Sequence, residues 1–209
     1  MNNTSSSHER TLTMVQIAFL AAVEVILTLL YIPIGTINLN FGLVPIVIAG
    51  ILLGPAVGAL IGAVSGFVTM IQVLTGQGVF YVFLVATNPV MASLLCIVKT
   101  AAAGFLSGLV YHLLHKFIRN RTVNSIAAAV VCPVVNTGIF ALGMFTIFGE
   151  ALMADPEIST WTSGGLAALV FGALIGINFF VELISTVVIT PALYEALFAS
   201  KLIKKTNNA

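Results

Sequence analysis

Apolar runs long enough to cross a bilayer alternate along this chain with short polar or charged breaks. The first run is Leu12–Tyr31, closed by Pro33 and Gly35. A polar-tinged stretch, "IPIGTINLNFG", leads into a shorter run, Phe41–Leu53, that ends at Gly54-Pro55. Proline suits the first turn of a helix, so a third helix is expected to start there and reach about Leu74. The loop "TGQGVFYVFLVATNP" is apolar enough to lie on the membrane or dip into it. A fourth helix is expected over about Val90–Leu114, followed by the basic connection "HKFIRNR". The fifth covers about Val123–Phe148, interrupted by Pro133. An acidic loop, "GEALMADPEISTWTSGG", carries Trp161 as an interface anchor and leads to a sixth helix over about Leu166–Ala199, bent at Pro191. A spanning helix needs about 20 apolar residues. The pattern therefore predicts an all-α membrane protein, a compact bundle of six transmembrane helices over residues 12–200. A disordered tail, residues 1–11, precedes it and a basic tail, 201–209, follows.

Composition agrees. The chain is 59% hydrophobic and 7% charged, with a mean hydropathy of +1.13, where soluble domains carry about 25% charged residues. Such a chain has no means of covering its surface in water. At 209 residues six spans leave no room for a separate catalytic domain. "MNNTSSSHER" is not a signal peptide, because no small-residue cleavage site follows a short apolar core. Of the eight basic residues, seven (Arg10, Lys116, Arg119, Arg121, Lys201, Lys204, Lys205) fall on one side of a six-span arrangement. That side is expected to be cytoplasmic, with both termini inside and Glu150, Asp155 and Glu157 outside.

Glycine recurs every fourth residue in "AGILLGPAVGALIGAVSG", at Gly50, Gly54, Gly58, Gly62 and Gly66. In water each costs roughly 1 kcal/mol against alanine. In lipid, helices associate through close backbone packing by small residues. Gly58, Gly62 and Gly66 are expected to form such a stripe on the third helix, Gly104 and Gly108 on the fourth, and Ala168, Gly172 and Gly176 on the sixth. No Lys-Ser or Lys-Thr follows the glycines, which excludes a P-loop. Cys96 and Cys132 lie in apolar runs and read as packing residues. His112 and His115 sit at a helix end without a third ligand, so they read as interfacial rather than metal-binding.

Ionisable groups inside a bilayer are functional candidates by default. Glu24 lies about 12 residues, roughly 18 Å, into the first helix, and Lys99 about 15 Å below the outer end of the fourth. Glu182 lies deeper, in the sixth. Asn136 and Thr137 follow Pro133; Gln72 stands near the outer end of the third helix, Gln77 in the next loop, Asn88 before the fourth helix, and Asn178 midway down the sixth. Together they outline one cavity that opens outward. Some have a plainer reading: Lys99 and Glu24 as an ion pair, Asn136-Thr137 satisfying backbone freed by the proline, Glu182 bonding a neighbouring helix. No internal repeat of the kind that rocking transporters use appears, no ATP site, and no constellation of catalytic side chains at a shared level. A binding subunit that borrows energy from a partner fits better than a self-sufficient pump or an enzyme, and calls for no cofactor or metal. An independent small-molecule transporter or channel is the alternative.

"FGLVPIVIAGILLGPAVGALIGAVSG", "VKTAAAGFLSGLVY" and "PVVNTGIFALGMFTIFG" resemble the substrate-binding S components of energy-coupling factor (ECF) vitamin transporters, importers of the ABC type in bacterial cell membranes. The resemblance covers most of residues 12–200 and is greatest to the branch with pantothenate, cobalamin and folate carriers. It implies a vitamin as substrate, a transmembrane scaffold subunit and two ATPase subunits as partners, and a toppling motion that carries the vitamin inward. The family's small-residue docking motif on the first helix falls on Ala18 and Ala22. Pantothenate, a small monoanion with hydroxyl and amide groups, suits Lys99 with Asn136, Thr137, Asn88 and Gln72. Neutralisation of Lys99 by Glu24 would instead suit a neutral or larger ligand.

Overall fold

The computed structural model of the chain describes residues 3–30, 32–34, 37–39, 41–77, 79–161 and 163–199. The basic tail, with Lys201, Lys204 and Lys205, lies outside them. The first helix, α1 (Asn3–Leu29), starts well before Leu12. Two three-residue strands, β1 (Ile32–Ile34) and β2 (Ile37–Leu39), then pair antiparallel, Ile32 with Leu39 and Ile34 with Ile37. α2 (Leu43–Leu53) and α3 (Pro55–Leu74) are separated only by Gly54, at φ 98°, a left-handed conformation that glycine adopts without steric cost. α4 (Val79–Thr87), α5 (Pro89–Phe117) and α6 (Arg121–Thr146) follow. The acidic loop holds the short α7 (Gly149–Ala154) and a 3-10 turn (Ile158–Trp161). The last helix opens as α8 (Gly165–Ala168), passes through a π-helical stretch (Leu169–Ile175) and continues as α9 (Gly176–Ala199).

Five of these helices are long and apolar enough to cross a membrane: Arg10–Leu29, Pro55–Leu74, Pro89–Phe117, Arg121–Thr146 and Gly165–Ala199. Their outer faces carry large apolar side chains such as Met14, Phe19, Phe67, Leu142, Ile184 and Val188, the surface a lipid solvent requires. The run expected to make a further span, Phe41–Leu53, is an 11-residue helix. At 1.5 Å per residue it is roughly 17 Å long, about half of a 30 Å hydrocarbon core. It is apolar on every side, and every residue from Leu43 to Ile51 is buried, packed among α1, α3, α5, α6 and α9. Ile46, Val47, Ala49, Ile61, Ala103 and Cys132 form one core cluster around it. A central helix that fills only half the bundle leaves space beyond its first residue.

The glycines explain how α3 and α5 flank it so closely. An added Cβ on Gly58 would stand 2.5 Å from the Gly104 carbonyl oxygen, and one on Gly66 2.6 Å from that of Cys96. At Gly62 it would collide with the Thr100 carbonyl, and at Gly50 it would lie 3.0 Å from the Gly108 Cα. Leucine gains little by leaving lipid, so this backbone-to-backbone fit is what joins the two helices. Gly172 and Gly176 do not act this way. A Cβ on Gly172 would meet nothing within 4 Å, and one on Gly176 only the Phe171 carbonyl at 3.8 Å. Gly172 is exposed on the π-helical stretch, where no neighbouring helix comes close enough for a small residue to matter.

Other expectations need correction. "TGQGVFYVFLVATNP" is not a loop but contains α4, whose Phe80, Phe83 and Leu84 are buried against Phe148, Leu152, Leu169 and Leu174. This second core cluster caps the end of the bundle away from α2.

Candidate functional site

Between the α2 cluster and the α4 cap lies a cavity of about 80 Å³. Leu43, the first residue of α2, lies at its base, and Phe80, Tyr81 and Leu84 of α4 contribute to its wall. α3 presents Ser65, Thr69 and Val73, a series spaced by four that keeps to one helix face. α5 presents Cys96, Lys99 and Thr100; α6 presents Asn136, Thr137 and Phe140; Asn178 and Glu182 come from α9.

Lys99 is the basic residue in this lining. Its ammonium lies 5.6 Å from the centroid of the Phe140 ring, within cation–π range. Asn136 and Phe140 are neighbours one turn apart on α6, as are Asn178 and Glu182 on α9, where the Asn178 amide donates to Glu182 Oε1 at 3.1 Å. Three buried oxygens here have no hydrogen-bond partner among the described residues: Asn136 Oδ1, Asn178 Oδ1 and Glu182 Oε2. A buried acceptor left unbonded costs about 1–3 kcal/mol. The cavity therefore offers one cation and several acceptors to hydroxyl or amide N–H groups.

Of the candidate binding residues, the structure brings Lys99, Asn136, Thr137 and Asn178 together and places four elsewhere. Gln72 is buried on the edge of α3 that meets α1, donating to the Thr28 carbonyl at 3.2 Å. Gln77 is exposed beyond the end of α3. Asn88 is the N-cap of α5, accepting from the Met91 N–H at 3.1 Å; a polar residue before a proline does this work in many helices. Glu24 is fully buried but bonds within its own helix, accepting from the Thr28 hydroxyl at 2.7 Å, and Thr28 in turn lies 3.4 Å from Ser65 Oγ. Glu24 is thus part of an α1–α3 contact and not the counter-ion of Lys99. Glu182 moves the opposite way. The sequence favours a structural bond to a neighbouring helix, yet its carboxyl faces the cavity. Ser65, Thr69 and Phe140 were also missed; their four-residue spacings to Val73 and Asn136 were the available signal.

The sequence matches the substrate-specific component of ECF transporters over residues 12–194. The chain belongs to that family. No curated protein matches it. Among solved structures it is similar to ThiT from Listeria monocytogenes, with a TM-score of 0.59 and 16% identity over 93% of this chain and 97% of that one; this likeness speaks for the fold. Membership makes the chain an integral membrane protein, the vitamin-binding subunit of a transporter and not an enzyme, with a scaffold and ATPases as its ECF partners. The independent transporter or channel gives way to this assignment.

Proposed function

We propose that this S component binds pantothenate in the cavity between α2 and the α4 cap. One observation carries the reading: the Lys99 ammonium shares a small cavity with the unpartnered oxygens of Asn136, Asn178 and Glu182. Pantothenate has a carboxylate for the cation and two hydroxyls and an amide N–H for the acceptors, with Thr137 as a further partner. The narrow volume favours it over cobalamin or folate, which are far larger. Titration calorimetry of the purified protein with pantothenate, cobalamin and folate is the test. Saturable pantothenate binding with a Kd on the order of micromolar or tighter is expected; binding of another vitamin in its place would overturn the choice.

The proposed orientation puts both termini in the cytoplasm of a bacterial cell, with α2 and the β1–β2 hairpin completing a sixth pass. The basic connection Lys116–Arg121 then faces inward and the cavity lies in the outer half. For the scaffold we propose the face of α1 carrying Ala18 and Ala22. Both are exposed, as are Val15 and Ile26 on the same stripe, while Glu24 and Thr28 on the other side are buried. Small side chains there permit close helix approach. Ala22→Trp is expected to abolish co-purification with the scaffold and ATPase subunits and to leave vitamin affinity unchanged. Undiminished co-purification would move the docking surface elsewhere. Delivery follows when the docked subunit topples and turns the cavity inward.

A further inference from the structure

At the opposite end of the bundle, where α5 ends and α6 begins, a second pocket of about 280 Å³ is lined by Tyr111, His112, His115, Arg121, Tyr194 and Phe198, with the end of α2 beneath. Its hydrogen bonds leave donors over. Asn124 Nδ2 donates to the Ile118 carbonyl at 2.8 Å and lies 3.3 Å from His115 Nδ1. An amide nitrogen only donates, so Nδ1 accepts and the neutral ring carries its proton on Nε2. The Tyr111 and Tyr194 hydroxyls are 2.6 Å apart; one donates to the other, and the second proton has no acceptor in that pair. Tyr111 stacks on His115 at 5.9 Å with a 6° interplanar angle, holding that ring in place. The Arg121 guanidinium lies 4.1 Å over the Phe198 ring, a contact that uses its face and leaves its N–H edge free. Among the described residues, no carboxylate is in the lining. Glu195, which accepts from the Thr122 hydroxyl at 2.9 Å, is exposed and outside that lining.

A guanidinium, an imidazole N–H and a phenol O–H around a pocket whose described lining holds no carboxylate make a receptor for a tetrahedral oxyanion. The pocket sits at the end of a lipid-embedded bundle, beside Lys116 and Arg119 in the sequence, where basic pockets between helices meet phospholipid headgroups. We propose that it binds phosphate, supplied by the headgroup of a membrane phospholipid. The site is independent of the vitamin cavity and does not rest on its ligand.

The test titrates full-length purified protein with phosphatidylglycerol and, separately, with uncharged diacylglycerol of the same chains, read by native mass spectrometry; inorganic phosphate is titrated by calorimetry. Phosphatidylglycerol is expected to bind with unit stoichiometry and diacylglycerol not to. Arg121→Gln is expected to weaken the lipid about tenfold or more, the loss of one charge-assisted hydrogen bond. Tyr194→Phe, which keeps the ring, is expected to weaken it less. The midpoint of thermal unfolding in detergent, unchanged from wild type, serves as the folding control for both variants. Equal retention of phosphatidylglycerol by wild type and both variants, or equal retention of diacylglycerol, overturns the proposal. Saturable inorganic phosphate binding with no lipid preference overturns the lipid source.

Discussion

Lys99→Ala is expected to weaken pantothenate binding by roughly ten- to a hundredfold. A hydrogen bond to a charged group contributes about 1.5–3 kcal/mol, and each 1.4 kcal/mol is a factor of ten. Among the described residues no other basic side chain lines the cavity, so none of them replaces it for a carboxylate. The substitution also leaves Glu182 facing the incoming anion. Glu182→Gln separates the two effects, because a glutamine keeps the volume and a hydrogen bond with Asn178. If Lys99 serves the ligand, Glu182→Gln preserves or improves affinity for an anion, and the double variant stays as weak as Lys99→Ala. If Lys99 merely balances Glu182, Lys99→Ala lowers thermal stability with affinity unchanged, and Glu182→Gln restores that stability. Calorimetry and thermal unfolding of the three variants decide between them. Unchanged pantothenate affinity in Lys99→Ala removes Lys99 from the site.

The long helices were legible because each apolar run is near the length a bilayer demands, and Gly54-Pro55 marked the start of α3. The glycine spacing likewise identified the α3 stripe. α4 was not legible. Its residues up to Ala86 are apolar or aromatic, with no alternation to mark a helix face, and Phe80 and Phe83 are buried by Phe148 and Leu152, which are far away in sequence. In the site, polarity inside an apolar run identified Lys99, Asn136, Thr137 and Asn178, but polarity alone does not give direction. Gln72 and Glu24 are as polar and as buried, and they turn toward the α1–α3 contact. Glu182 has the same appearance on a helical projection whether it bonds a neighbour or faces a cavity. Only the placement of α2, which stops at Leu43 and leaves the space, distinguishes the two.

Gly62→Ala is expected to destabilise the bundle by about 1–3 kcal/mol, the cost of overpacking a close-packed contact, and Gly58→Ala and Gly104→Ala similarly. In each case the added methyl group meets backbone on the facing helix, and backbone, unlike a side-chain tip, has no other rotamer to adopt. Gly138→Ala is the control. It also lies inside a long helix, but its Cβ would meet nothing within 4 Å, so it should be neutral or gain up to about 1 kcal/mol of helix propensity. Gly172→Ala should also be tolerated, since its Cβ meets open space as well. Cys96 and Cys132 are both buried and free, so a thiol-reactive dye follows unfolding in detergent without a further label. Equal midpoints for Gly62→Ala and Gly138→Ala would mean that α3 and α5 separate without cost, and the close contact would lose its structural role. Gly66→Ala carries the argument into the site. Its Cβ would press on the Cys96 carbonyl and the Thr100 hydroxyl, and Cys96, Thr100 and the neighbouring Ser65 all line the cavity. The substitution pushes one wall away from the other, so it should cost ligand affinity as well as stability, whereas Gly58→Ala, two turns nearer the α2 end, should cost stability with little change in affinity.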